Sequence, residues 1–233
     1  MAITPPSHIL PGPPPVTVAL RRSPRARRLT LRVSRLDGRA VLTLPQRLAL
    51  ALALDFLRDR EGWLRAQLAG QAPALTPGPG GSLPYLGAAL PVHEHPGRNV
   101  VLRDGTLWLP ADGRPAGPRL AAFLKATARD RLAALCDSHA AVLGKQFGRI
   151  TLRDTRSRWG SCSSQGDLMF SWRIAMAPPE VIDYLAAHEV AHLARMDHSP
   201  AFWTIVARLC PGHAAARAWL RREGDRLQRV KFD

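Results

Sequence analysis

The chain has 233 residues, 46% hydrophobic and 22% charged, which is enough to bury a sizeable core as one large domain or two smaller ones. Its 33 Lys and Arg against 18 acids give a formal charge of +15, and its longest apolar run, LALALAL at 48–54, is far too short for a membrane-spanning helix. Three widely spaced cysteines, Cys136, Cys162 and Cys210, argue against a disulfide framework and point to a reducing compartment, the cytoplasm.

In chain order, residues 1–15 are Pro-rich without the basic and apolar regions of a signal peptide, which predicts an irregular lead-in. From 16 to 45, apolar and polar residues alternate, with Asp37-Gly38 as a hairpin turn. Leu29, Leu31 and Val33 then share one strand face, and Arg28, Thr30, Arg32 and Ser34 the other. This places the dense run Arg21, Arg22, Arg25, Arg27, Arg28, Arg32, Arg35 and Arg39 largely on a solvated sheet. Thirty of the 33 basic residues are Arg, and a split near residue 114 leaves +8 and +7 on the two parts, so neither owns the charge.

Residues 46–69, rich in Leu and Ala, predict one helix. A loop at 73–84 precedes strands at 85–93 and 99–109, the second turning at Asp104-Gly105. PADGRPAGP at 110–118 marks a boundary, which divides the chain into the lead-in 1–15, a β-rich part with one helix at 16–114, and a domain at 115–233. That domain opens with an amphipathic helix at 119–144, whose stripe is Leu120, Phe123, Leu124, Leu132, Leu135 and Val142. A strand at 149–154 and a hairpin at 157–174, turning at Gln165-Gly166-Asp167, follow. Pro178-Pro179-Glu180 opens a helix expected to end near 194–196. Ser199-Pro200 opens another, ending at Pro211-Gly212, and a last one runs to about 228.

The chemistry concentrates in HEVAHLARMDHS at 188–199. The chain has only eight His and five Glu. Chance then yields roughly 0.006 matches to His-Glu-x-x-His, and a third His six residues on lowers the odds further. His188 and His192, four apart on a helix, project from one face and can share a zinc. Glu189 is turned about 100° away around the helix, which suits a general base beside a metal rather than a ligand on it. His198 is the natural third ligand, leaving one coordination position open as a catalytic zinc requires. Arg195 occupies the place where metzincins carry a Gly, so the chain must turn back in another way. A structural zinc site would need a fourth ligand, for which Cys162 and Cys210 have no helpful spacing. His8, His93, His95, His139 and His213 read as surface or satisfied core residues.

With RWGSCSS, FSWRIAMAPPEVIDYLAAHEVAHL and DHSPAFW in that order, the C-terminal half resembles the YgjP-like metallopeptidase domain, a relative of the SprT-like zinc proteases. Residues 1–118 match more loosely. The resemblance implies an α+β fold, with a zincin-like metallopeptidase core at 115–233 and a β-rich N-terminal subdomain. It implies one zinc per chain on His188, His192 and His198, with Glu189 as catalytic acid/base and a protein or peptide as substrate. Related SprT-like proteases act on proteins attached to DNA. The basic surface predicts weak nucleic-acid binding without sequence preference. In the WGSC hairpin, Trp159 and Trp172 are expected to pack beneath the sheet, Cys162 to be a small packed residue, and the strand edge to receive an extended peptide. Tyr184 and Arg158 are both candidates to stabilise an oxyanion. Two rival readings are a nucleic-acid-binding module with a structural zinc site and a zinc hydrolase of non-peptide amides.

Overall fold

A computed structural model describes residues 6–34, 37–70 and 74–233. Arg35 of the basic run and the first five residues of the expected lead-in lie outside them. Two compact units emerge, Met1–Pro73 and Ala74–Asp233.

The N-terminal unit is a four-stranded sheet with two helices. Strands β1 (Ser7–Leu10), β2 (Val16–Ser23), β3 (Thr30–Val33) and β4 (Ala40–Pro45) lie in the order β1-β2-β4-β3, with β2 and β4 parallel. Alternation decides the faces. Val16, Val18, Leu20, Ala40, Leu42 and Leu44 turn to the core, while Thr17 and Arg21 face water. Helices α1 (Leu50–Asp59) and α2 (Glu61–Ala69) close that core with Ala53, Leu57 and Leu64. Two expectations are corrected here. The lead-in contains β1, because Ser7–Leu10 pairs antiparallel with β2 and buries Leu10. The single helix at 46–69 is two, since Arg60 at φ −100°, ψ 6° leaves the helical conformation between them.

The C-terminal unit starts with strands β5 (Ser82–Tyr85), β6 (Ala88–His95), β7 (Val101–Arg103) and β8 (Thr106–Pro110), in the order β5-β6-β8-β7. The division expected at 114 therefore differs from that between 73 and 74. Leu83, Val92, Leu107 and Leu109 are buried with the helix α3 (Ala116–Leu143), in one core with the motif helix. The β5–β6 turn adds to this attachment. Leu86 and Gly87 both have positive φ (48° and 82°), and their N–H groups donate to Ala175 and Met176 carbonyls at 3.0 and 3.2 Å. A side chain at position 87 would also crowd Pro178, which opens the motif helix.

Along α3 the buried stripe is Leu120, Leu124, Ala128, Leu132, Cys136 and Ala140, joined by His139. Val142 is exposed, contrary to expectation, because this row has turned it outward. Strands β9 (Ile150–Arg153), β10 (Gly160–Cys162) and β11 (Leu168–Ser171) form a sheet ordered β10-β11-β9, with β10 at an edge. The hairpin turns at Gly166 as expected, but residues 172–176 form a 3-10 turn rather than more strand. Helices α4 (Pro179–Ala191), α5 (Pro200–Leu209) and α6 (His213–Gln228) complete the unit.

Among the described residues no helix is long and apolar enough to cross a membrane. The six α-helices and three small mixed sheets of the described residues make the fold α+β.

Candidate metal centre

Helix α4 is apolar on nearly all sides, with Val181, Ile182, Leu185, Ala186, Ala187, Val190 and Ala191 buried. His188 and Glu189 are therefore carried in a hydrophobic helix. The helix closes at Ala191, earlier than the expected 194–196, with His192 as its C-cap. Tight turns then follow: Leu193 N–H donates to the Val190 carbonyl, and those of Ala194 and Arg195 donate to Ala191. His192 Nδ1 donates to the Arg195 carbonyl at 2.9 Å, so this histidine itself helps hold the reversal that Gly would otherwise permit. That bond also commits the proton to Nδ1 and leaves the Nε2 lone pair for a metal.

Asp197 and Ser199 return the chain. The Asp197 carboxylate accepts from Ser199 N–H at 3.3 Å and Ser199 Oγ–H at 2.7 Å. Ser199 Oγ in turn accepts from Phe202 N–H at 3.4 Å, capping α5, with Pro200 in its first turn. His198 is held between these devices. Its Nε2 lies 3.2 Å from His188 Nε2, and one nitrogen from each of His188, His192 and His198 falls within 4.8 Å of the others. Among the described residues no other trio of His, Cys, Asp or Glu converges in this way.

The donor set fits zinc. Tetrahedral ligands about 2.0–2.1 Å from a shared zinc lie about 3.3 Å apart, close to the separation of His188 and His198. Two of the three imidazoles are biased towards the neutral form that binds a metal. Burial, then the charges of His192, His198 and Arg217, lower the His188 pKa to about 3, and burial lowers that of His192. Phe202 forms an apolar wall beneath all three, with ring centroids 4.5, 4.9 and 5.0 Å from His192, His198 and His188. His188 Nδ1 is buried with no hydrogen-bond partner, and the ring packs against Tyr184 at 5.8 Å.

Glu189 is 4% exposed and is not in the imidazole cluster. Burial raises its pKa to about 8, opposed in part by the Arg158 charge. It lies against β10, where a Cβ on Gly160 would overlap its carboxylate. The glycine of WGSC thus leaves room for Glu189 beside a sheet edge. Trp172 is buried against Phe232, and Trp159 packs on Gly224 of α6, in line with packing roles for both. Cys162 is half-buried with its thiol pKa raised by burial, and neither it nor Cys210 joins the cluster.

The model of the YgjP-like metallopeptidase domain matches residues 27–223. The chain belongs to the YgjP-like metallopeptidase family. The match runs into both compact units of this YgjP-like protein, taking in β3, β4, α1 and α2 of the N-terminal one but not β1 and β2. A crystal structure of the metallopeptidase zymogen abylysin from Pyrococcus abyssi is similar at 25% identity and a TM-score of 0.37, covering 42% of this chain and 97% of that one. A search of curated proteins gave no significant match.

Sequence reasoning passed over Gly160, Asp197, Phe202, Trp203 and Arg217 at this site. The i, i+3 spacing of Ser199 and Phe202 was a legible capping signal. The approach of Gly160 to Glu189, and of Arg217 to Trp203 at 4.2 Å, had no local signal.

Proposed function

We propose that this metallopeptidase holds one zinc per chain on His188, His192 and His198 and hydrolyses peptide bonds with Glu189 as general acid/base. The observation carrying this reading is the convergence of three imidazoles within 4.8 Å, next in sequence to a buried carboxylate that is not one of them. Zinc in such a site supplies a Lewis acid for a carbonyl oxygen and acidifies water, and its charge favours the ionised form of Glu189.

Glu189 accepts a proton from attacking water and delivers it to the departing amine. Its low-dielectric surroundings make the carboxylate a stronger base than one in water. An extended substrate pairs with the free edge of β10, which brings its carbonyl alongside Glu189. Tyr184 has its hydroxyl pKa raised, mainly by burial, so it stays protonated at neutral pH and can donate to a developing oxyanion.

Glu189→Gln tests the assignment. The amide matches the carboxylate in shape but cannot take the proton, and such assistance is worth about 10²–10⁴ in rate. Cleavage of an unfolded casein-like protein should fall at least about 100-fold, with zinc content and melting temperature nearly unchanged. Equal cleavage by wild type and variant would remove Glu189 from the chemistry.

A further inference from the structure

Helix α6 sorts its arginines into two groups. Arg222 and Arg226 hold Glu223 between them at 2.8 and 3.0 Å. Arg217 and Arg221, one helical turn apart, have no carboxylate within ion-pair distance among the described residues. Like charges at this spacing repel. Arg217 is half-exposed, and its guanidinium lies 4.2 Å over the Trp203 ring. That ring is 5.7 Å from His188 and 6.1 Å from His198, centroid to centroid. Arg217 therefore borders the imidazole cluster through one aromatic layer. Both Arg217 and Arg221 act electrostatically on Tyr184, whose ring contacts His188.

We infer that Arg217 and Arg221 form a carboxylate-recognition subsite beside the metal centre, so that the enzyme selects substrates with an anionic group near the scissile bond. The inference rests on the peptidase reading and adds the substrate class. A guanidinium fork binds a carboxylate through two parallel charged hydrogen bonds, and stacking on Trp203 fixes its plane before the ligand arrives. The carboxylate can come from an Asp or Glu side chain or from a free C-terminus.

Binding to zinc-loaded, full-length Glu189→Gln protein tests this without turnover. Three fluorescent peptides of otherwise identical sequence are compared. One has a central Glu and an amidated C-terminus, one has Gln and a free C-terminus, and one has Gln and an amide. At low salt at least one charged peptide should bind about tenfold or more tighter than the neutral one, and which of them does so identifies the carboxylate's source. Adding Arg217→Gln and Arg221→Gln should erase the difference. Adding Arg222→Gln and Arg226→Gln, an equal loss of charge from the same helix, should preserve it. Arg217→Lys, which keeps the charge without the planar fork, should recover only part of the discrimination. Equal binding of all three peptides, no binding of either charged one, or equal loss in both double variants would overturn the subsite. Parallel digestion by wild type separates the two readings. Discrimination in binding without cleavage of any peptide removes the peptidase reading and leaves the subsite, whereas cleavage without discrimination does the reverse.

Discussion

The two units of this protein are both layered from strands and helices, yet they differ in what they bury and in what they show to water. Residues 1–73 carry twelve Arg against four acids, a net +8, and residues 74–233 carry +7 over more than twice the length. The buried polar and charged side chains among the described residues, His139, Ser171, Arg173 and Glu189, all belong to the C-terminal unit. Burying such groups is expensive unless they are paired or used. Arg173 is paired with Asp154 at 2.6 Å and His139 with Asp183 at 2.8 Å, whereas Glu189 is left beside the imidazole cluster. The lesson is that density of charge and location of chemistry are separate properties of this chain.

Removing a proposed ligand should break the contrast most severely. His198→Ala is expected to lower zinc affinity by well over the roughly 10–100-fold typical of losing a mere supporting contact, and to abolish cleavage. Undiminished zinc by elemental analysis after dialysis would place His198 outside the metal site.

Titration of the metal-free protein sharpens the account of Glu189. Its folded pKa, about 8, lies above its ordinary 4.5. The stability of the uncharged form is thus fully present below about 4.5 and is lost as pH rises through about 8. Relative to Glu189→Gln, the metal-free wild type should therefore lose on the order of a few kcal/mol across that window. Parallel melting curves of the two proteins over the whole range would contradict a buried carboxyl at this position.

Next in size is the buried ion pair. Arg173 also donates to the carbonyls of Leu227 and Val230 at 3.2 and 2.7 Å, tying the 3-10 turn to the end of α6. Arg173→Met should cost about 3 kcal/mol, the lower end for a broken buried pair because Asp154 is half-exposed. In the N-terminal unit, exposed Arg22 also holds carbonyls, those of Gln46 and Leu48 at 2.7 and 2.9 Å. Its replacement by Met should cost about 1 kcal/mol or less. Similar losses in urea unfolding would show that burial is not what separates the two units.

The smallest effect concerns the basic face. Arg21, Arg32 and Arg39 line a shallow groove of about 420 Å³ with Val41 and Thr43, on the sheet face turned away from the N-terminal core. We expect weak nucleic-acid binding there. Changing all three to Gln should reduce the slope of log affinity against log salt by roughly 2–3. An unchanged slope would leave these arginines as a solvated surface.

His188 and His192 were legible in the sequence because a helix puts residues four apart on one face, a rule that needs no knowledge of the rest of the fold. The strand faces of β2 and β4, the capping of α5 at Ser199 and the turn at Gly166 were legible for the same reason, since backbone geometry dictates them within a few residues. Other features depended on partners distant in sequence. Ser7–Leu10 is a strand because β2 pairs with it, and the unit boundary falls at 73 because β5 and β6 bury their apolar residues against the later chain. Gly160 matters because Glu189 lies against it, and Arg217 because it stacks on Trp203, whose ring lies by His188 and His198. Local periodicity therefore determined which residues could share a face. Tertiary packing alone decided which faces met, because burying apolar surface is non-directional and leaves no short-range pattern of its partner.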